Sequence, residues 1–300
     1  GIIPVFPIPK DDKFKPEVLS GLIERWAKDL LGKEVKDRQG GDTYWGGKSM
    51  LKTCQAFNMA WQLQLPIAKD LYAEARRITA DWLTHEPGEK AFYYARYPLP
   101  WSGLVGFNPS YGSEQFTDNH FHYGYLAMSV ALVGMHDPVW LAKYGPPARE
   151  VVKQYGEWER GSKSYPRLRT FECWAGHSYA GGMSSGYDGN NQESSSEAVG
   201  SWAGMFFLGA AMNDPDMLAT GAMGYAIETE AVHEYWNNAY GWKDPEQSNW
   251  SSNYKPTICS VMRDRDMGAW TWFSGEPIHI YGIQWLPAWT HMNYFGAHKA

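Results

Sequence analysis

Apolar residues recur at helical spacing along most of this chain, and the gaps between those runs are by turns short and long. Pro16 opens the first run. Val18, Leu22, Ile23, Trp26 and Leu30 set an apolar stripe on one face and predict a helix to about Leu31. Ahead of it, Pro4, Pro7 and Pro9 forbid a helix, so residues 1–15 read as an extended lead-in or the remnant of an upstream linking domain. A polar loop from Gly32 to Gly41 and the stretch GDTYWGGK (41–48) precede a predicted helix from Ser49 to about Leu63. Leu71, Ala75, Ile78 and Trp82 share one face of the next, about 68–84. Helices at about 120–134 and 138–157 form a pair around the turn Asp137-Pro138. Two more follow at about 193–211 and 214–237, and helical periodicity restarts from Gly282 at IQWLPAW.

The long gaps carry a different pattern. Residues 87–120, 162–192 and 240–265 are rich in turn residues and aromatics, among them Trp242, Trp250 and Tyr254. The first of them predicts a β-hairpin at the mouth of a site, because so long a stretch without a helix is functional rather than connective. Helix, short turn, helix, long aromatic loop is the pattern of a toroid of helical hairpins with its long loops on one mouth. The expected fold is therefore mainly α, a toroid of helical hairpins from residue 16 onward. About eight helices are countable where a closed ring needs about twelve, so the toroid is expected to be short at its ends.

Composition narrows the function. A net charge of −6 with no basic run argues against nucleic acid or an anionic membrane as partner. No apolar run approaches the ~18 residues of a membrane span. Cys54, Cys173 and Cys259 leave one odd, and their spacing fits no zinc pattern. The start, GIIPVFPIPKDD, is neither Met-led nor a signal peptide and reads as a processed or truncated product. The anomaly is 16 Trp, 19 Tyr and 12 Phe. Flat rings with a polar handle suit a cleft that stacks on sugar faces, the competing reading being a Trp-rich helical core.

The candidate chemistry centres on Trp174 to Ala211, where a Gly/Ser/Asn-rich loop runs into Glu193 and Glu197. Their i, i+4 spacing predicts both carboxylates on one helix face. Asn190 to Glu193 fits a capping box, and a carboxylate at a helix N-terminus is held ionised, which suits a general base. Glu197, one turn further in, would couple with it, share the base role or position the water. Asp118, in TDNHFHYGY, is either an N-cap or a general acid; the acid role needs a raised pKa, and Phe116, Phe121 and Tyr123 could supply the burial. His120 and His122 form an HxH pair that would suit a metal on a strand; on a helix start they diverge, no further cluster completes the site, and no metal or cofactor is expected. One of them more plausibly orients a carboxylate or a sugar hydroxyl. GDTYWGGK lacks the first Gly of a phosphate loop and reads as a sugar-contact loop presenting Asp42, Tyr44, Trp45 and Lys48. Trp174, Tyr187 and Trp236 are candidate stacking platforms, and His122, His177, Asn191 and Glu276 candidate hydroxyl contacts.

At these residues the chain resembles glycoside hydrolase family 81, the endo-β-1,3-glucanases. DTYWGGK (42–48), DNHFHYGY (118–125), ECWAGHSYAGG (172–182), NQESSSEAV (191–199) and EPIHIYGIQWLP (276–287) occur in family order. The resemblance implies an (α/α)6 catalytic domain, an inverting mechanism with Asp118 as acid and Glu193 as base, Glu197 as second carboxylate, and β-1,3-glucan as substrate. It also implies an upstream β-sandwich and linking domain, which are not in these 300 residues. The expectation is a secreted, monomeric enzyme cutting inside the glucan. The alternatives are a β-glucan-binding protein without turnover, another toroid enzyme such as a lyase, and a metal hydrolase using His120 and His122.

Overall fold

The computed structural model describes residues 11, 13–31, 41–84, 93–96, 102–182 and 189–296. Among the described residues seven long helices carry the fold: α1 (Pro16–Leu30), α2 (Trp45–Gln62), α3 (Ala68–Asp81), α4 (Asn119–Gly134), α5 (Pro138–Gly156), α6 (Ser195–Met212) and α7 (Pro215–Ala231). A π-helical turn, Val232–Trp236, extends α7, and a short α8 (Pro277–Gly282) and a 3-10 turn, Thr290–Gly296, lie near the end. Consecutive helices pair as hairpins: α2 with α3, α4 with α5, α6 with α7. The first members then pack on one another, α2 on α4 and α4 on α6. That is α/α architecture, with an inner row of α2, α4 and α6 backed by α3, α5 and α7. The mainly helical reading holds.

The sequence explains the inner row. Every residue of α4 is buried, and α6 is apolar on nearly all sides, as helices enclosed by others must be. They approach closely because Gly124 faces Ser201, where a Cβ would lie 2.8 Å from the Ser201 Cα. The outer helix α1 keeps only Ile23, Ala27 and Leu30 inside, while Val18 of the predicted stripe is exposed.

Three helix starts differ from expectation, the first two for a local reason. α2 begins at Trp45 rather than Ser49, because the Asp42 carboxylate accepts the backbone N–H groups of Tyr44 and Trp45, each at 2.8 Å. α6 begins at Ser195, because Ser194, not Asn190, is the N-cap and accepts the Glu197 N–H. α8 starts at Pro277 and ends at Gly282, where a helix was expected to begin.

The predicted hairpin is present in the long aromatic stretch as β1 (Tyr93–Arg96) antiparallel to β2 (Ser102–Gly106). Gly106 then bridges to Asp42. A second hairpin joins β3 (Phe171–Glu172) to β4 (His177–Ser178). A three-stranded sheet of β5 (Asn191–Gln192), β6 (Val261–Arg263) and β7 (Met267–Gly268) sits directly before α6. These small sheets hold the loops over the N-terminal ends of α2, α4 and α6. All three cysteines are free, and among the described residues no helix is long and apolar enough to cross a membrane.

Candidate active site

The N-terminal ends of α4, α6 and α2 each deliver one part of a carboxylate cluster. Asp118 occupies the N-cap position of α4, but in a left-handed conformation with φ 57°, and its side chain makes no capping bond. A short polar residue tolerates that backbone. The N-cap alternative therefore fails for the side chain: the carboxyl caps no helix N–H, and the residue is half-buried. Its backbone is tied down instead. Asp118 N–H donates to Ala180 O at 2.9 Å, and Ala180 N–H donates to Asn191 O at 2.7 Å. Two main-chain bonds thus connect the Asp118 turn to β5, two residues before Glu193.

Glu193 lies before α6, not within it, so Glu193 and Glu197 do not share a helix face as their spacing predicted. Glu193 is half-buried. Its Oε1 accepts the Trp272 N–H at 2.9 Å, and its backbone carbonyl accepts Gln284 Nε2 at 2.9 Å. Burial raises its pKa, and the Trp272 amide pulls the other way. Glu197 is the residue in the first turn of α6, and it is 4 % exposed. The Tyr125 hydroxyl donates to its Oε1, and the Lys48 ammonium stands 3.3 Å from the same oxygen. Lys48 also donates to the Tyr44 hydroxyl at 2.6 Å and rides over that ring at 4.1 Å. Burial raises the Glu197 pKa; Lys48 and the Tyr44 hydroxyl lower it.

These surroundings separate the three acids. No donor among the described residues meets the Asp118 carboxyl, and burial, then Glu197, then Glu193, hold its pKa well above the usual carboxylate range. A carboxyl whose pKa is pushed up beside two further carboxylates is an arrangement that suits a general acid with a base partner. The Tyr44 hydroxyl is also held protonated, by burial first and then by Glu197.

The other predicted contacts scatter. Trp45, 41 % exposed, edges onto Tyr44 at 5.1 Å between ring centroids and stays beside the cluster. Lys48 is committed to Glu197 and Tyr44. His122 is buried; its Nδ1 pairs with Thr43 Oγ1 at 2.8 Å, and burial, then Lys48, push its pKa down to about 3, so the ring is neutral. His120 turns the other way, to Gln192 Nε2 at 3.2 Å. Among the described residues no group of His, Cys, Asp and Glu could hold a metal ion.

Three candidates are corrected by burial or by prior engagement. Asp42 is 4 % exposed, and its Oδ1 is already occupied by two helix N–H groups and the Ser110 hydroxyl, so it starts α2 rather than meeting a sugar. Trp236 is fully buried and cannot serve as a stacking surface. His177 is buried against it, ring centroids 5.1 Å apart, with Nδ1 bound to the Ser178 carbonyl. Trp174 is 97 % exposed in the turn of the β3–β4 hairpin, its N–H bound to the Glu172 carboxylate. Asn191 is half-buried in β5, and Glu276 is exposed at the head of α8. Tyr187 lies outside the described residues.

Sequence reasoning missed four residues that build the site. Tyr125 sits in the quoted motif DNHFHYGY, but nothing in the pattern distinguishes it from a core aromatic. Trp272 offers a backbone amide, which no side-chain pattern reveals. Gln284 spans from Glu193 O to Ser195, accepting its N–H at 3.0 Å and its hydroxyl at 2.6 Å. Glu228, on α7, is 1 % exposed and accepts from Ser178 N–H, Ser178 Oγ, Trp202 Nε1 and Gln192 Nε2. It pins β4 and β5, the strands that lead to Asp118 and Glu193.

Comparison with known proteins places this arrangement. Residues 14–299 match the family model described as glycosyl hydrolase family 81 C-terminal domain. A glucan endo-1,3-beta-D-glucosidase of Acetivibrio thermocellus is 34 % identical over 261 residues, covering 85 % of this chain and 33 % of the relative. One of Thermobifida fusca is 32 % identical over 260 residues, with coverages of 85 % and 33 %. A solved structure of a point mutant of the family 81 glycoside hydrolase CtLam81A, from Clostridium thermocellum, superposes with a TM-score of 0.86 at 31 % identity. It covers 99 % of this chain and 40 % of that one. The chain spans about a third of the length of the curated relatives it matches.

Proposed function

The chain belongs to glycosyl hydrolase family 81, and from that premise we propose that it hydrolyses internal β-1,3-glucosidic bonds of β-1,3-glucan with inversion at the anomeric carbon. Asp118 gives its proton to the glycosidic oxygen as the bond to the anomeric carbon breaks. Glu193 takes a proton from the water that attacks that carbon on the opposite face. The products are a free hydroxyl on the leaving sugar and an α-configured reducing end on the other. Glu197 stays ionised between Lys48 and Tyr125 and keeps Asp118 protonated. The carrying observation is the Asp118 carboxyl, placed at a helix head yet unused as a cap and facing two carboxylates. One oxygen of Glu193 is held by the Trp272 amide, which leaves the other for the water.

The same reading covers the finer expectations: residues 16–300 as the catalytic domain, action outside the cell where such a polysaccharide is met, and a monomer needing no cofactor. Proton NMR of fresh laminarin products tests it, with the unaltered chain, Asp118→Asn and Glu193→Gln side by side. Release of α-anomers first, with activity in each variant down by about 10²–10⁴, is the expected result. β-Anomers first would refute inversion, and full activity in Glu193→Gln would take the base role from that residue.

A further inference from the structure

The turn that supplies the Trp272 amide to Glu193 also carries two exposed aromatic rings. Trp272 is 58 % exposed and Phe273 64 %. Their turn is closed twice over, by Thr271 N–H to Ser274 O at 2.9 Å and by the Thr271 hydroxyl to the same carbonyl at 2.8 Å. The Trp272 indole is backed by Trp270, edge to face at 4.6 Å between centroids and 88° between planes. Trp270 is itself anchored: the Ser260 hydroxyl donates to its carbonyl, and the Arg263 guanidinium lies 5.8 Å from its ring. An exposed indole is ordinarily costly to leave in water. This one is backed by a second indole, and its own backbone N–H binds the Glu193 carboxylate.

We propose that Trp272 is the stacking platform for a glucosyl unit of the substrate next to the point of cleavage, with Phe273 widening the same surface. The inference rests on the proposed glucan hydrolysis and replaces Trp236 as the platform on the Glu193 side. Its logic is positional. The amide of Trp272 fixes the carboxylate and its ring fixes the sugar, so one short turn sets their relative position. The axial C–H faces of a β-glucosyl ring are apolar and match a flat indole, whereas its equatorial hydroxyls face outward to water or polar groups. Trp45, beside Lys48, is also half-exposed. A glucan lying across the cluster would run between the two.

Two readouts decide it. In kinetics on laminarin oligosaccharides, Trp272→Ala should raise KM about tenfold while kcat stays within a few-fold, and Trp272→Phe should recover most of the loss. The backbone bond to Glu193 survives both changes. By calorimetry, laminarihexaose should bind the Asp118→Asn chain about tenfold more tightly than the Asp118→Asn, Trp272→Ala chain. Equal affinities overturn the platform, as does undetectable binding with Trp272 intact. A fall in kcat at unchanged KM overturns it too, since the turn would then act only through Glu193. If the unaltered chain cleaves no glucan but hexaose binding still depends on Trp272, the proposed reaction falls and the platform stands.

Discussion

Replacing Lys48 by Met tests how the charge cluster is held together. The change keeps most of the apolar stem that packs against Tyr44 and removes the ammonium 3.3 Å from Glu197. At that distance and an effective dielectric constant of about 20, the lost attraction is about 5 kcal/mol. The protein does not have to bear all of it, because Glu197 can take up a proton instead. At pH 7 that escape costs at most about 3.4 kcal/mol, the 2.5 pH units above the ordinary value of 4.5 at about 1.4 kcal/mol each. Burial already lifts Glu197 above 4.5, so the true figure is smaller. Protonation is therefore cheaper than an unpaired buried carboxylate, and it sets the limit. The lost cation–π contact and the lost donor to Tyr44 add about 1–2 kcal/mol that does not depend on pH.

The sign follows from linkage. In the variant the folded-state pKa of Glu197 is raised further above its unfolded value, so the folded chain binds more protons than the unfolded one through that window. Such stability is full below the unfolded pKa and is lost as pH rises through the folded one. Urea unfolding at pH 5, 6 and 7 should therefore show a destabilisation of about 3–4 kcal/mol at pH 7 that shrinks to about 1–2 kcal/mol at pH 5. The same loss at pH 5 and pH 7 would refute the ion pair as the important contact and leave packing alone.

Two further outcomes follow from neighbouring groups. Glu197→Gln removes the largest charge contribution to the raised pKa of Asp118, so Asp118 should lose its proton at lower pH; the alkaline limb of kcat/KM on laminarin should move down, and a limb that stays or moves up contradicts the tuning role. Gly182→Ala would drive a Cβ to 2.0 Å from the Gln115 carbonyl and 2.6 Å from the Thr117 amide, backbone that cannot yield without moving Asp118; thermal unfolding should show a loss of about 2–3 kcal/mol together with a fall in kcat, and an unchanged kcat would mean the Asp118 turn is not set by that contact.

The helices were legible because each long one repeats its apolar positions at helical spacing, as Leu71, Ala75 and Ile78 do in α3. Their starts were less so. The pair Gly46-Gly47 suggested a loop, yet both lie within α2, and Gly47 is small because Tyr125 passes it on the way to Glu197: a Cβ there would meet the ring at 3.3 Å. Asp118 and the two glutamates could be found as residue types in suggestive company. Their relation could not, since it depends on the backbone ladder through Ala180 and on a left-handed turn. Burial of the aromatics was equally hidden: Trp236 and Trp174 are both indoles offered as stacking surfaces, and one is fully buried while the other is 97 % exposed. Glu228 reads as an ordinary outward acid on α7, and only the fold brings four donors to it.

What assigns the three carboxyls to different tasks is the supply of donors. Burial alone pushes all three pKa values upward and would leave them alike. A donor favours the charged form, and the donors are unequal: none among the described residues for Asp118, one backbone amide for Glu193, a phenol and an ammonium for Glu197. The acid is then the group that nothing stabilises as an anion and that two neighbouring anions oppose. Glu193 has one oxygen held by the Trp272 amide, which opposes the upward push of burial, and this is the carboxylate to which the proposed mechanism gives the base role. Glu197 is buried and already engaged by Tyr125 and Lys48, and in the proposed mechanism its part is to raise the pKa of Asp118 from a fixed position. The helix dipole, invoked from the sequence to ionise Glu193, acts on Glu197 instead, because the helix begins at Ser195. The i, i+4 spacing that drew attention to the pair therefore has another origin. It sets one carboxylate just outside the helix and the other in its first turn, beside the Lys48 ammonium.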